Sequence, residues 1–131
     1  MLIKDLLQSK PPPVTVRANR DMADAMRLLL DHNIGSLVVT DEQDQAVGII
    51  TERDIFHLAF RYRGDMMDMK VGENMTDNLT VASPEDDLEH IARLMTERRI
   101  RHVPIMDQNK QLCGIVSIGD VVKARLSEPA V

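Results

Sequence analysis

Two short segments each bring a hydroxyl and a carboxylate within reach of one another. Thr51 stands three residues before Asp54, and Ser117 three residues before Asp120. Each pair follows a glycine and two aliphatic residues, Gly48-Ile49-Ile50 and Gly114-Ile115-Val116. An apolar run entering such a pattern predicts a strand-to-helix junction. There the hydroxyl caps the first free backbone N–H groups and the acid returns a bond to the cap, the arrangement of a capping box. The same groups suit a ligand: a helix start favours anions, and a carboxylate there can accept both hydroxyls of a ribose. A glycine before the junction would let a ligand approach the backbone at the strand's end. Capping and binding are compatible roles.

The remaining chemistry-bearing residues point elsewhere or nowhere. His32, His57, His90 and His102 lack metal-ligand spacing such as H-E-x-x-H. The acidic run Glu85-Asp86-Asp87 reads as a helix start, and Cys113, inside an apolar strand, as a buried inert thiol. Arg98, Arg99 and Arg101 form a short basic group, either a solvated helix end or a funnel for an anionic ligand. No nucleophile with a partnered base and no pair of catalytic acids is visible, so the expectation is a protein that is not an enzyme.

The elements that must hold the two junctions are themselves repeated. Gly48-Ile49-Ile50-Thr51-Glu52-Arg53-Asp54-Ile55 returns 66 residues later as Gly114-Ile115-Val116-Ser117-Ile118-Gly119-Asp120-Val121. Asp21 and Asp87, Ile34 and Ile100, and Val39 and Ile105 keep that offset, whereas Val14-Thr15-Val16 aligns with Leu79-Thr80-Val81 at 65. Such a match marks two homologous units. Each begins with a short β-branched strand, Val14–Val16 or Leu79–Val81, and continues into a helix. The first helix shows an apolar face of Met22, Ala25, Met26, Leu29 and Leu30, the second one of Leu88, Ile91, Ala92 and Met95. Ser83 as N-cap and Pro84 at the first helical position are expected to start the second. Strands Ser36–Thr40 and Ala46–Ile50 flank a polar turn and match His102–Met106 and Leu112–Val116. A closing helix follows each, from Thr51 to about Arg61 and from Ser117 to about Leu126.

The expected fold class is therefore α/β (α+β), two pseudo-symmetric βαββα repeats packed sheet to sheet, because one repeat alone cannot cover both faces of its sheet. The expected boundaries are a lead-in over 1–13, a first repeat over 14–63, a linker over 64–74, a second repeat over 75–127 and a tail over 128–131. Leu2, Ile3, Leu6 and Leu7 predict one short docking helix, and Lys10-Pro11-Pro12-Pro13 a polyproline spacer.

Composition narrows the function. The 131 residues carry 16 Lys+Arg against 21 Asp+Glu, a net charge of −5 that argues against a phosphate-backbone binder. Three aromatic residues and no Trp leave no stacking platform for single strands. A single cysteine excludes an internal disulfide and suits a reducing cytoplasm. No apolar run approaches the ~20 residues needed to span a bilayer, and Asp5 interrupts any signal-peptide start.

With G-I-I-T-E-R-D and G-I-V-S-I-G-D, and the upstream I-G-S-L-V-V-T-D and I-R-H-V-P-I-M-D, the chain closely resembles a tandem pair of cystathionine-β-synthase (CBS) domains, the Bateman module, over about residues 10 to 126. The resemblance implies the βαββα pair and a role in sensing adenosine-containing ligands: AMP, ADP, ATP, NAD(H) or S-adenosylmethionine. It implies that Asp54 and Asp120 each grip a ribose, with Thr51 and Ser117 near the phosphate. It further implies two cavities, each drawing on both repeats. One would use Thr15, Ser36 and Val38 with Ser117 and Asp120; the other Thr80, His102 and Pro104 with Thr51, Arg53 and Asp54. Arg101 and His102 resemble the family's basic phosphate contacts. The matching Gly35 and Ser36 lack charge and Gly119 replaces Arg53, so the two sites should differ in affinity.

The resemblance also implies a homodimer through the closing helices, with Ile55, Leu58, Ala59, Val121, Val122 and Leu126 as its apolar surface. With no fused catalytic domain in the sequence, the output is expected to pass to an unknown regulated protein or to the chain's own assembly. The rival expectation is a ligand-independent dimerisation or adaptor protein whose motifs serve only as caps. A small-molecule hydrolase and a nucleic-acid binder rank below both.

Overall fold

A computed structural model describes residues 1–127; the expected tail, 128–131, lies outside the described residues. In chain order the elements are α1 (Ile3–Leu7), β1 (Thr15–Arg17), α2 (Met22–His32), β2 (Ser36–Thr40), β3 (Ala46–Thr51), α3 (Glu52–Tyr62), a 3-10 turn (Arg63–Asp68), α4 (Val71–Asn74), α5 (Leu88–Arg98), β4 (His102–Met106), β5 (Leu112–Ser117) and α6 (Ile118–Ser127). They gather into two compact units. One is Val14–Leu79; the other joins Met1–Pro13 to the chain from Thr80 onward.

In the Val14–Leu79 unit β1 lies parallel to β2, and β2 antiparallel to β3, with Thr15 opposite Val38 and Ser36 opposite Thr51. The β2–β3 turn is held by Asp41, whose Oδ1 accepts the N–H groups of Gln43 and Gln45, both at 2.9 Å. Val16, Met22, Ala25, Leu29, Leu37, Val39 and Ile50 form the core, joined by Met66 and Val71 from the segment between the repeats. Leu30 departs from the expected apolar face: it is 79% exposed, one position beyond Leu29 and outside the arc that reaches the sheet.

The second unit repeats the plan. β4 and β5 pair antiparallel with His102 opposite Ser117. Asp107 Oδ1 holds their turn, accepting from the N–H groups of Asn109 and Gln111. Ile3 and Leu6 of α1 join Leu88, Ile91, Met95, Val103, Ile105, Val116 and Val121 in its core, so the expected docking helix is present.

The second repeat's opening differs from expectation. Leu79–Val81 forms no strand; a single parallel bridge joins Ala82 to Ile105. Ala82 thus stands where Val16 stands opposite Val39, which makes the offset 66 here too and removes the one-residue gap. Ala82 is buried and Val81 exposed, as this register requires. Two prolines explain the lost strand. Ala18 N–H donates to the Thr40 carbonyl at 2.9 Å, but its equivalent, Pro84, has no N–H. Pro104, in the place of Val38, turns its carbonyl toward Ala82 (3.1 Å) and has no donor on that edge. Nor does Ser83 cap the following helix. Ser83–Asp86 closes a separate turn, with Ser83 N–H on Asp86 Oδ2 at 2.8 Å, and Asp87 caps α5 through its bond from His90 N–H at 2.9 Å.

The stretches before the two repeats play matching parts. Met69–Met75 docks on the first repeat, with Met22 N–H on the Met69 carbonyl and Val71 N–H on the Arg20 carbonyl. The N-terminal stretch docks on the second, with Leu88 N–H on the Met1 carbonyl and Ile3 N–H on the Asp86 carbonyl.

Candidate functional site

The glycines that open the two motifs serve this docking. A Cβ on Gly48 would lie 2.3 Å from Met75 Sδ and 2.9 Å from the Thr76 carbonyl oxygen; one on Gly114 would lie 2.6 Å from Leu7 Cδ2. The close approach they permit is therefore to a lead-in segment, which replaces the expectation that they admit a ligand.

At the β3–α3 junction Thr51 takes an extended backbone and caps α3. Its hydroxyl accepts from Asp54 N–H at 3.3 Å, while Asp54 Oδ2 accepts from Thr51 N–H at 2.9 Å. This is the expected capping box. Asp54 Oδ1 takes a further bond from the Thr76 hydroxyl at 3.3 Å. Glu52 N–H donates to the Gly35 carbonyl at 3.1 Å, tying the helix start to the entry of β2. Thr15, Ser36 and Val38 lie on the same sheet: Ser36 is Thr51's cross-strand partner and Val38 that of Thr15. Thr15 is exposed, Ser36 and Val38 are buried. Arg53 is exposed, its Nε 3.5 Å from His57 Nε2.

At the β5–α6 junction Ser117 and Asp120 repeat the pattern. Asp120 Oδ2 accepts from Ser117 N–H at 2.8 Å, and Asp120 N–H donates to the Ser117 hydroxyl at 3.1 Å. Ile118 N–H donates to the Arg101 carbonyl at 2.8 Å, the counterpart of Glu52 and Gly35. His102 is half-buried beside Ser117, Arg101 exposed, Pro104 buried and Thr80 half-buried. With the offset at 66 throughout, the residue equivalent to Thr15 is Val81 rather than Thr80.

One member of this junction has no precedent in the motifs. The Lys10 ammonium pairs with Asp120 Oδ2. Lys10 is therefore anchored, not merely the start of a spacer. Burial alone would push the Asp120 carboxyl up, but the Lys10 ammonium and the N–H and hydroxyl bonds to Ser117 outweigh it and hold the group below the ordinary carboxylate range. Thr76 holds the matching place on Asp54. Cys113 is half-buried, and burial, with Asp107 nearby, raises its thiol. Among the described residues no cluster of His, Cys, Asp and Glu could hold a metal ion, and no helix is long and apolar enough to cross a membrane.

The closing helices divide differently from expectation. Ile55, Leu58 and Val121 pack on their own units' cores, whereas Val122 and Leu126 face outward, at 50% and 82% exposure. α3 adds two residues missing from the expected apolar surface, Phe56 at 75% and Phe60 at 76% exposure.

The CBS domain family model matches residues 3–61 and again 68–127. The chain belongs to the CBS-domain family. Among curated relatives, the mitochondrial CBS domain-containing protein CBSX3 of Arabidopsis thaliana is 40% identical over 109 residues, 80% of this chain and 52% of that protein. The chain thus spans about half of that relative, and 66%, 22% and 37% of three further curated relatives. Among solved structures, the CBS domain pair of protein MJ0100, in complex with 5-methylthioadenosine and S-adenosyl-L-methionine, is 30% identical with a TM-score of 0.88, covering 98% of each chain. CBSX2 in complex with AMP is 28% identical with a TM-score of 0.80, covering 95% of this chain and 96% of that one. Both superpose over the CBS pair, with its two repeats of helix and strand.

Proposed function

We propose that this CBS pair is a regulatory module, not a catalyst, that binds an adenosine-containing ligand and signals by a changed arrangement of its repeats or of two chains. The observation that carries the reading is the duplicated junction: a carboxylate held at a helix start by the backbone N–H of the capping residue, whose hydroxyl in turn accepts the acid's own N–H, at Asp54 and again at Asp120. A carboxylate at a helix start can accept the two hydroxyls of a ribose, with Thr51 or Ser117 beside it for a phosphate. That relatives of the same fold hold S-adenosyl-L-methionine, 5-methylthioadenosine and AMP supports the adenosyl class. Thr15, Ser36 and Val38 in one unit and Thr80, Arg101, His102 and Pro104 in the other complete the proposed ligand contacts, together with Arg53. The expectation that each ligand takes groups from both repeats belongs to the same proposal.

Binding biases the arrangement to the extent that the ligand prefers one state. The outward Phe56, Phe60, Val122 and Leu126 support a homodimer through the closing helices. The acidic chain with one thiol fits a cytoplasmic setting, with a regulated protein as the further partner. The test is a thermal-shift panel with AMP, ADP, ATP, NAD, NADH and S-adenosylmethionine. A ligand at a hundred times its dissociation constant adds about 2.7 kcal/mol, a rise of several degrees, and Asp54→Ala and Asp120→Ala should each reduce it. No shift with folded, nucleotide-free protein overturns the reading. It would favour the second one, a ligand-independent adaptor, which has its own support: both acids already complete capping boxes, accepting from the Thr51 and Ser117 N–H groups.

A further inference from the structure

The two carboxylates differ in what a ribose must displace. Asp54 Oδ1 holds a neutral hydroxyl, that of Thr76. Asp120 Oδ2 holds an ammonium, that of Lys10, and the two side chains retain only 25% and 27% of their exposure. Lys10 cannot simply withdraw with its backbone. Its N–H donates to the Leu7 carbonyl at 3.1 Å, α1 is fixed by the buried Ile3 and Leu6, and Pro11–Pro13 stiffens the chain beyond. A ribose at Asp120 would therefore leave a partly buried cation close by without its counter-ion, which costs more than displacing a neutral hydroxyl. A ligand that brings its own anion removes that cost, because the displaced ammonium gains a charge-assisted bond to the incoming oxygen.

We propose that Lys10 sets the ligand class at the Asp120 site, favouring adenosyl compounds that carry a phosphate over uncharged ribosides. The inference rests on the adenosyl reading above and adds to it a residue from outside both motifs. At Asp54, where only a hydroxyl is displaced, no such preference arises from this contact.

The test measures AMP and adenosine binding by calorimetry in the full chain carrying Asp54→Ala, so that only the Asp120 site responds. With Lys10 present, AMP should bind more tightly than adenosine. Lys10→Met should cut that preference about tenfold, weakening AMP and tightening adenosine, since a tenfold change corresponds to about 1.4 kcal/mol. Lys10→Arg, which keeps the charge, should retain the preference and shows that a loss in Lys10→Met is not misfolding. An AMP-to-adenosine ratio that Lys10→Met leaves unchanged overturns the inference while the adenosyl reading stands. Binding of neither compound to the Asp54→Ala chain, when the unsubstituted chain binds one of them, also overturns it. Binding of neither compound even to the unsubstituted chain removes both.

Discussion

Leu7 lies over Gly114 so closely that an added Cβ would meet its Cδ2 at 2.6 Å, and Met75 stands over Gly48 in the same way. The two contacts are not equally forgiving. At Gly114 the obstacle is the end of a leucine side chain. At Gly48 it includes the Thr76 carbonyl oxygen at 2.9 Å, in a backbone held by its reciprocal bonds with Ile49. Overpacking of this kind costs about 1–3 kcal/mol. Gly48→Ala is expected at the upper end and Gly114→Ala near the lower, measured by urea unfolding. Equal costs would show that the Thr76 segment yields as readily as Leu7.

The Asp120 carboxyl gives a pH signature. Its folded value lies below the ordinary carboxylate range, so the folded chain binds fewer protons than the unfolded one as the pH approaches that range. The stabilisation it supplies is complete above the unfolded value, about 3.9, and is lost as pH falls through the folded value. The stability advantage of the unsubstituted chain over Asp120→Asn should therefore shrink on acidification below about pH 5 and stay level from there to neutrality. An advantage that does not change with pH would mean that Lys10 does not hold the carboxylate ionised.

The junctions were legible because hydroxyl and carboxylate stand three residues apart in one short motif, printed twice at one offset. Lys10 was not: its contact with Asp120 spans 110 residues and exists only because α1 docks on the second repeat. The helical period marks the buried faces of α2 and α5 apart from Leu30, yet at the closing helices it does not say which of two apolar arcs turns inward, and so it leaves Phe56 and Phe60 unassigned. Pro84 misled in a different way. Its preference for a helix start hid its other property, the missing N–H that cuts short the strand at Ala82.

That last property is testable. Pro84→Ala supplies an N–H where Ala18 has one bonded to Thr40, and the Met106 carbonyl is the equivalent acceptor. The new amide should be protected from hydrogen exchange well beyond an exposed turn amide. A gain of about 0.5–1.5 kcal/mol for the bond is offset by the greater freedom of the unfolded chain without proline, so net stability should move by no more than about 1 kcal/mol. Free exchange at residue 84 would mean that the missing donor is not what ends the strand.

Phe56 and Phe60 lie four residues apart on α3, one turn from each other and both about three-quarters exposed; Val122 and Leu126 repeat the spacing on α6. Apolar residues so placed form stripes that leave water on association. If these stripes form the proposed homodimer, the chain should run as a dimer in light scattering at micromolar concentration. Phe56→Glu with Phe60→Glu should give a folded monomer, since neither side chain belongs to the core of its own unit. Charge introduced at Ala59, on the same helix, should act in the same direction but more weakly, because it removes little apolar surface. A dimer that survives the double substitution would place its contacts away from α3, and a monomer in the unsubstituted chain would leave the two stripes to a different partner.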